Sequence, residues 1–155
     1  MKKNRRQFGF SLIELLIVIT IIVIILTVAV PKLTKSRMYA QEMGALQAIR
    51  TLHVAETQYY SQYGKYATSL VELGPPTSGG AESPAAAGLI PEELALGEKQ
   101  GYKYTLAGST GGYVINASPV AFGNSGSRTF YSDQTMVVRQ HYGQEPATAS
   151  SEPVK

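Results

Sequence analysis

The chain contains no cysteine. That excludes a disulfide framework, a thiolate metal site and thiol redox chemistry. Aspartate occurs once, at Asp133, and histidine twice, at His53 and His141. The two imidazoles stand far apart in sequence and lack metal-ligand spacing. No serine lies in a Gly-x-Ser-x-Gly turn or in a His–acid pattern, and no glycine-rich phosphate loop precedes a helix. These absences leave no enzyme signature and no implied cofactor. Asp133 is a weak candidate cation ligand, because hard cations want six to eight oxygens. A tight turn is the plainer use of an aspartate there. The formal charge of +3 is also less informative than it looks. Without Lys2, Lys3, Arg5 and Arg6 the rest holds ten basic against eleven acidic residues. Net charge therefore gives no ground for nucleic-acid binding.

What the chain does have stands at its start. A short basic head is followed by Phe8-Gly9-Phe10-Ser11-Leu12-Ile13-Glu14 and then an apolar run to Val30. Phe10 to Val30 carries one charge, Glu14. At about 1.5 Å of rise per residue a helix of this length covers roughly 30 Å, the thickness of a bilayer core. Pro31 closes the run, and Lys32, Lys35 and Arg37 follow. A carboxylate inside a spanning helix costs about 2.5–3.5 kcal/mol on insertion scales and is functional by default. The alternative is that Glu14 lies close enough to the end to snorkel to the headgroups. A cleaved secretory signal fits poorly, since the run is long and Thr27-Val28-Ala29 is a weak small-x-small site. An uncleaved signal anchor bearing an extracytoplasmic binding module is the more serious rival.

Gly-Phe-Ser-Leu-Ile-Glu after a basic leader resembles the prepilin peptidase site of the type IV pilin and type II secretion pseudopilin family. The resemblance covers about residues 5–40. It implies cleavage between Gly9 and Phe10, N-methylation of the new Phe10 amine, and a role for Glu14 in meeting the amino terminus of a neighbouring subunit. It implies a homo-oligomeric helical filament, pilus or secretion pseudopilus. It also implies a peptidase-methylase, an assembly ATPase and an inner-membrane platform as partners. The location implied is a single-pass cytoplasmic membrane protein with its head outside, later part of a filament. Two features depart from common family patterns. The C-terminal disulfide loop of many pilins is excluded, and Val23 and Ile24 stand where many pilins carry a mid-span glycine.

Along the chain, residues 1–9 read as a leader and residues 10–30 as a transmembrane or filament-core helix. Ile17 to Ile25 is β-branched throughout, a poor helix sequence in water. In lipid every backbone group must be satisfied internally, so helix prevails. Pro31 removes a donor and predicts a kink. Residues 31–63 predict an amphipathic continuation, with Ala45, Ile49, Leu52, Tyr59 and Tyr63 at 3–4 spacing. Lys35, Arg37, Glu42 and Arg50 fit its wetter side. His53 reads as a half-buried packing residue.

Gly64 predicts the stop, and Leu70 and Leu73 predict small-core anchors. Gly74 to Gly88 is loop-like. Strands are predicted at Tyr102–Leu106, Tyr113–Ala117, Arg128–Tyr131 and Thr135–Arg139, the last two a hairpin around Ser132-Asp133-Gln134. The tyrosines at 59, 60, 63 and 66 are expected to close the helix-to-sheet interface. The fold class is α+β, a long N-terminal helix on an antiparallel sheet of about four strands, with the head over 64–142. Residues 143–155, rich in Ala, Ser, Pro and Glu, predict a disordered tail.

Overall fold

The computed structural model describes residues 10–76 and 80–154. The leader 1–9, including Gly9, lies outside the described residues. Helix α1 runs Leu12–Tyr63, with Pro31 inside it. The chain divides into two compact units, one ending at Ser36 and one beginning at Arg37.

In the first unit the helix is apolar and exposed throughout, from Leu12 at 81% to Leu33 at 55%. Its threonine hydroxyls are satisfied locally. Thr20 Oγ1 donates to the Leu16 carbonyl and Thr27 Oγ1 to that of Ile24, each at 2.7 Å. Local bonds of this kind let hydroxyl residues sit in an apolar helix without orphaned polar groups.

In the second unit α1 becomes the spine of a folded head. Its buried positions are Glu42, Ala45, Leu46, Ala48, Ile49, Leu52, His53, Ala55, Glu56 and Tyr59. The 3–4 spacing puts them on one face. Gly64 ends the helix at φ +70°, a conformation open to glycine, and its N–H returns to the Tyr60 carbonyl. Two short helices follow, α2 (Leu70–Leu73) and α3 (Glu92–Ala95). Leu70 and Leu73 are buried, as their spacing predicts.

The sheet is a six-stranded antiparallel meander in chain order. Its strands are β1 (Glu98–Lys99), β2 (Tyr102–Ser109), β3 (Gly112–Pro119), β4 (Arg128–Asp133), β5 (Arg139–Tyr142) and β6 (Glu152–Pro153). Strand β2 alternates strictly, burying Tyr102, Tyr104 and Leu106. Its partners across β3 are Ala117 for Tyr104 and Ile115 for Leu106. Phe130 completes this face from β4, opposite Ala117. These side chains join Ile49, Leu52 and Tyr59 of α1 in one core. The α+β class is as expected, with six strands in place of about four.

Three expectations are corrected. The hairpin near Asp133 pairs later than predicted: Tyr131 faces Arg139 and Phe130 faces Gln140, while Thr135 to Val138 belongs to no strand. Asp133 Oδ1 takes the amide and hydroxyl of Thr135, and Met136 adopts φ +61°, so the chain turns where a strand was read. Glu42, placed on the wet side, is 4% exposed. The tail is ordered: β6 pairs with β5, the Val154 amide bonds the Val138 carbonyl at 2.8 Å, and Ala147 is buried. Composition argued for disorder, but β5 offers an unpaired edge whose backbone groups the tail satisfies.

Candidate functional site: the N-terminal segment, and the polar contacts within the head

The carboxylate of Glu14 folds back on its own helix start. Its Oε2 accepts the Ser11 amide at 2.9 Å. Ser11 precedes the first helical residue and Glu14 is the third, the acidic half of a capping box. The Ser-x-x-Glu spacing at residues 11–14 is the sequence signal of this cap. Phe10, at the first described position, is 85% exposed. Glu14 therefore sits one turn from the residue expected to carry the new amine. By length and composition α1 can cross a membrane, and none of its most apolar window is buried among the described residues.

Glu42, His53 and Glu56 are buried polar residues through which α1 bonds the rest of the head, and none of these contacts is evident from sequence spacing. Glu42 forms a salt bridge with Arg128 of β4 at 2.7 Å. The Ser127 amide and hydroxyl also donate to Glu42, at 2.8 and 2.9 Å. Burial pushes this carboxyl up, but the Ser127 and Arg128 donors outweigh it and hold it below the usual range. His53, 5% exposed, bonds Tyr113 Oη through Nδ1 at 2.7 Å and Ser132 Oγ through Nε2 at 2.8 Å. Burial depresses its pKa, which favours the neutral ring. Glu56 is fully buried, and its Oε2 accepts the Ala67 amide at 3.0 Å.

The tyrosines close the helix end as expected. Tyr59 stacks near Tyr63 and Tyr60 near Tyr66, each pair at 4.7 Å between ring centroids. Tyr66 in turn meets Tyr113 of β3 at 5.0 Å. Asp133 serves the turn described above, and among the described residues no group of three acidic or imidazole side chains converges on a cation site.

Comparison with known proteins bears on the N-terminal segment. The family profile described as "Prokaryotic N-terminal methylation motif" matches residues 4–30. "Competence protein ComGC" of Halalkalibacterium halodurans is 35% identical over 72 residues, which cover 46% of this chain and 71% of that protein. This chain belongs to the type IV pilin and pseudopilin family. "Type IV major pilin protein PilA" of Myxococcus xanthus is 34% identical over 71 residues, or 46% of this chain. The match spans only 32% of that pilin's length, so the likeness to it is partial.

Proposed function

We infer that the chain is a structural, non-enzymatic subunit of a type IV pilus-like filament. It is inserted as a prepilin, cleaved after Gly9, N-methylated at Phe10 and polymerised through α1. One observation carries this reading: the methylation-motif segment leads into a helix whose apolar surface is left uncovered by the described residues. In the precursor, lipid covers that surface. In the filament, the helices of other copies do so, each Å² of apolar surface removed from water being worth about 25 cal/mol. Copies related head to tail form an open assembly that grows as a filament. Glu14, charged within this surface, pairs with the Phe10 ammonium of a neighbour. A buried ion pair adds little net stability but sets register well. Peptidase-methylase, ATPase and membrane platform are the partners this route requires, and the head lies outside the cytoplasm.

The reading is tested by intact mass. Protein taken from the producing cell should lack residues 1–9 and carry one added methyl group on Phe10. A full-length, unmethylated chain in membranes that also contain an active prepilin peptidase would instead support a signal-anchored module.

A further inference from the structure

Glu56 has no part in assembly as argued above, and its setting is unusual for a carboxylate. It lies on the buried face of α1 with no exposed surface. An ionised carboxylate offers about four acceptor sites. Here one donor serves it, the Ala67 amide on Oε2. No protein donor reaches the buried Oε1.

The Ala67 amide favours the charged form of Glu56, but burial outweighs it and the other groups around Glu56 add no support to its charge. Glu72 of α2 repels it. Tyr59, one turn further along α1, donates to Glu72 and to the Pro84 carbonyl rather than to Glu56. Tyr113 of β3 bonds His53, whose pKa burial lowers. Lys65, the nearby cation, acts on Glu72.

Ala67, the one partner, belongs to the segment joining α1 to α2. It is itself fully buried, and the chain at Gly108 passes so close that a Cβ there would clash with the Ala67 carbonyl oxygen. The connector is thus held between Glu56 on one side and the β2 backbone on the other.

We propose that Glu56 is a proton-operated latch on the connector from Gly64 to Thr68, closed when its carboxyl is protonated and loosened when it ionises. Burial in this apolar setting is the main force on Glu56, raising its pKa from 4.5 to about 7. Ionisation demands water at Oε1, and water reaches it only when the packing against Ala67 opens. In the open form the carboxyl returns to its ordinary range. The sign follows from linkage. A carboxyl raised in the closed state stabilises that state fully below pH 4.5, and the stabilisation is lost as pH rises toward 7.

Glu72 works in the opposite direction and in another window. Burial pushes it up, but bonds from Thr68 and Tyr59 outweigh this and lower it, so its contribution is lost only as pH falls below the ordinary carboxylate range. Between pH 5 and 7 the connector therefore answers to Glu56. Opening should become about tenfold easier per pH unit, on the order of a hundredfold across the window.

The test uses the full isotopically labelled chain in detergent micelles. The Glu56 carboxyl carbon shift and the exchange protection of the Ala67 amide are followed from pH 4.5 to 8. The expected result is a Glu56 midpoint near 7 and a loss of Ala67 protection of about a hundredfold, while amides of β3 keep theirs. Glu56→Gln, neutral at every pH, should make Ala67 protection independent of pH. A Glu56 midpoint between 4 and 5 would overturn the latch. So would flat Ala67 protection in the unmodified chain, or an equal loss throughout β3. Should Glu56→Gln fail to fold, the two titrations of the unmodified chain still decide.

Discussion

Glu14 both accepts the Ser11 amide and is the one charge between Phe10 and Val30. A capping role needs an acceptor, and a register role needs a charge. Glu14→Gln keeps the first and removes the second, because glutamine serves the capping box as well. Cleavage and insertion of that variant should be normal, and sheared-filament yield by electron microscopy should fall sharply. Glu14→Ala should insert at least as well as the unmodified chain, since a charge has left the span, and should also fail to assemble. Normal filaments from processed Glu14→Gln would leave the cap as this residue's whole role. Glu42 is judged by the same logic in the head. Its removal strands Arg128, which is hydrogen-bonded to Gln140 and lies over the rings of Phe130 and Tyr142. Glu42→Ala should cost roughly 3–5 kcal/mol at pH 7, read as a lower urea midpoint, because it leaves a buried charge alone. Since Glu42 is held below its usual pKa, the stability it provides is present at neutral pH and lost as pH falls below the ordinary carboxylate range.

Among the elements, β6 and the segment leading to it are the ones composition misjudged. Ala147 is buried, Thr129 Oγ1 donates to the Glu145 carbonyl, and Arg139 Nη1 to that of Ser151. Deleting residues 143–155 should lower head stability by about 2 kcal/mol, a few hydrogen bonds at their usual net worth. It should also bare β5 and produce concentration-dependent oligomers on size-exclusion chromatography. A tail that hung free would be removed without either effect. The reason it was unreadable is physical. Alternating burial made β2 and β3 legible, because each buries a tyrosine–aliphatic face against α1. Strand β6 is two exposed residues held by backbone pairing, which leaves no hydrophobic period to read. The anchors Glu42, His53 and Glu56 were hidden for a related reason. Glu42 reads as wet and His53 as half-buried because their partners are not local: Arg128 lies 86 residues from Glu42, and Ser132 79 from His53. The apolar segment and the methylation motif, by contrast, are local in sequence and were fully visible.

At the scale of the molecule, the two units rest on different physics. Residues 37–154 contain every buried position of α1 and the whole sheet. Produced alone, they should be soluble and monomeric, with circular dichroism showing helix and sheet together. The shorter piece ending at residue 142 should be less stable, for the reason given for β6. An all-helical spectrum, or no cooperative melt, would count against a self-sufficient head.

The exposed apolar half of α1 has a consequence for supply. Among the described residues the core of the head does not use that half, so on the proposed filament route the head can finish folding before the subunit leaves the bilayer. A cell could then keep a standing stock of finished subunits and draw on it at the speed of extraction rather than of folding. A filament taken apart into the membrane would return its subunits to that stock intact, ready to be used again.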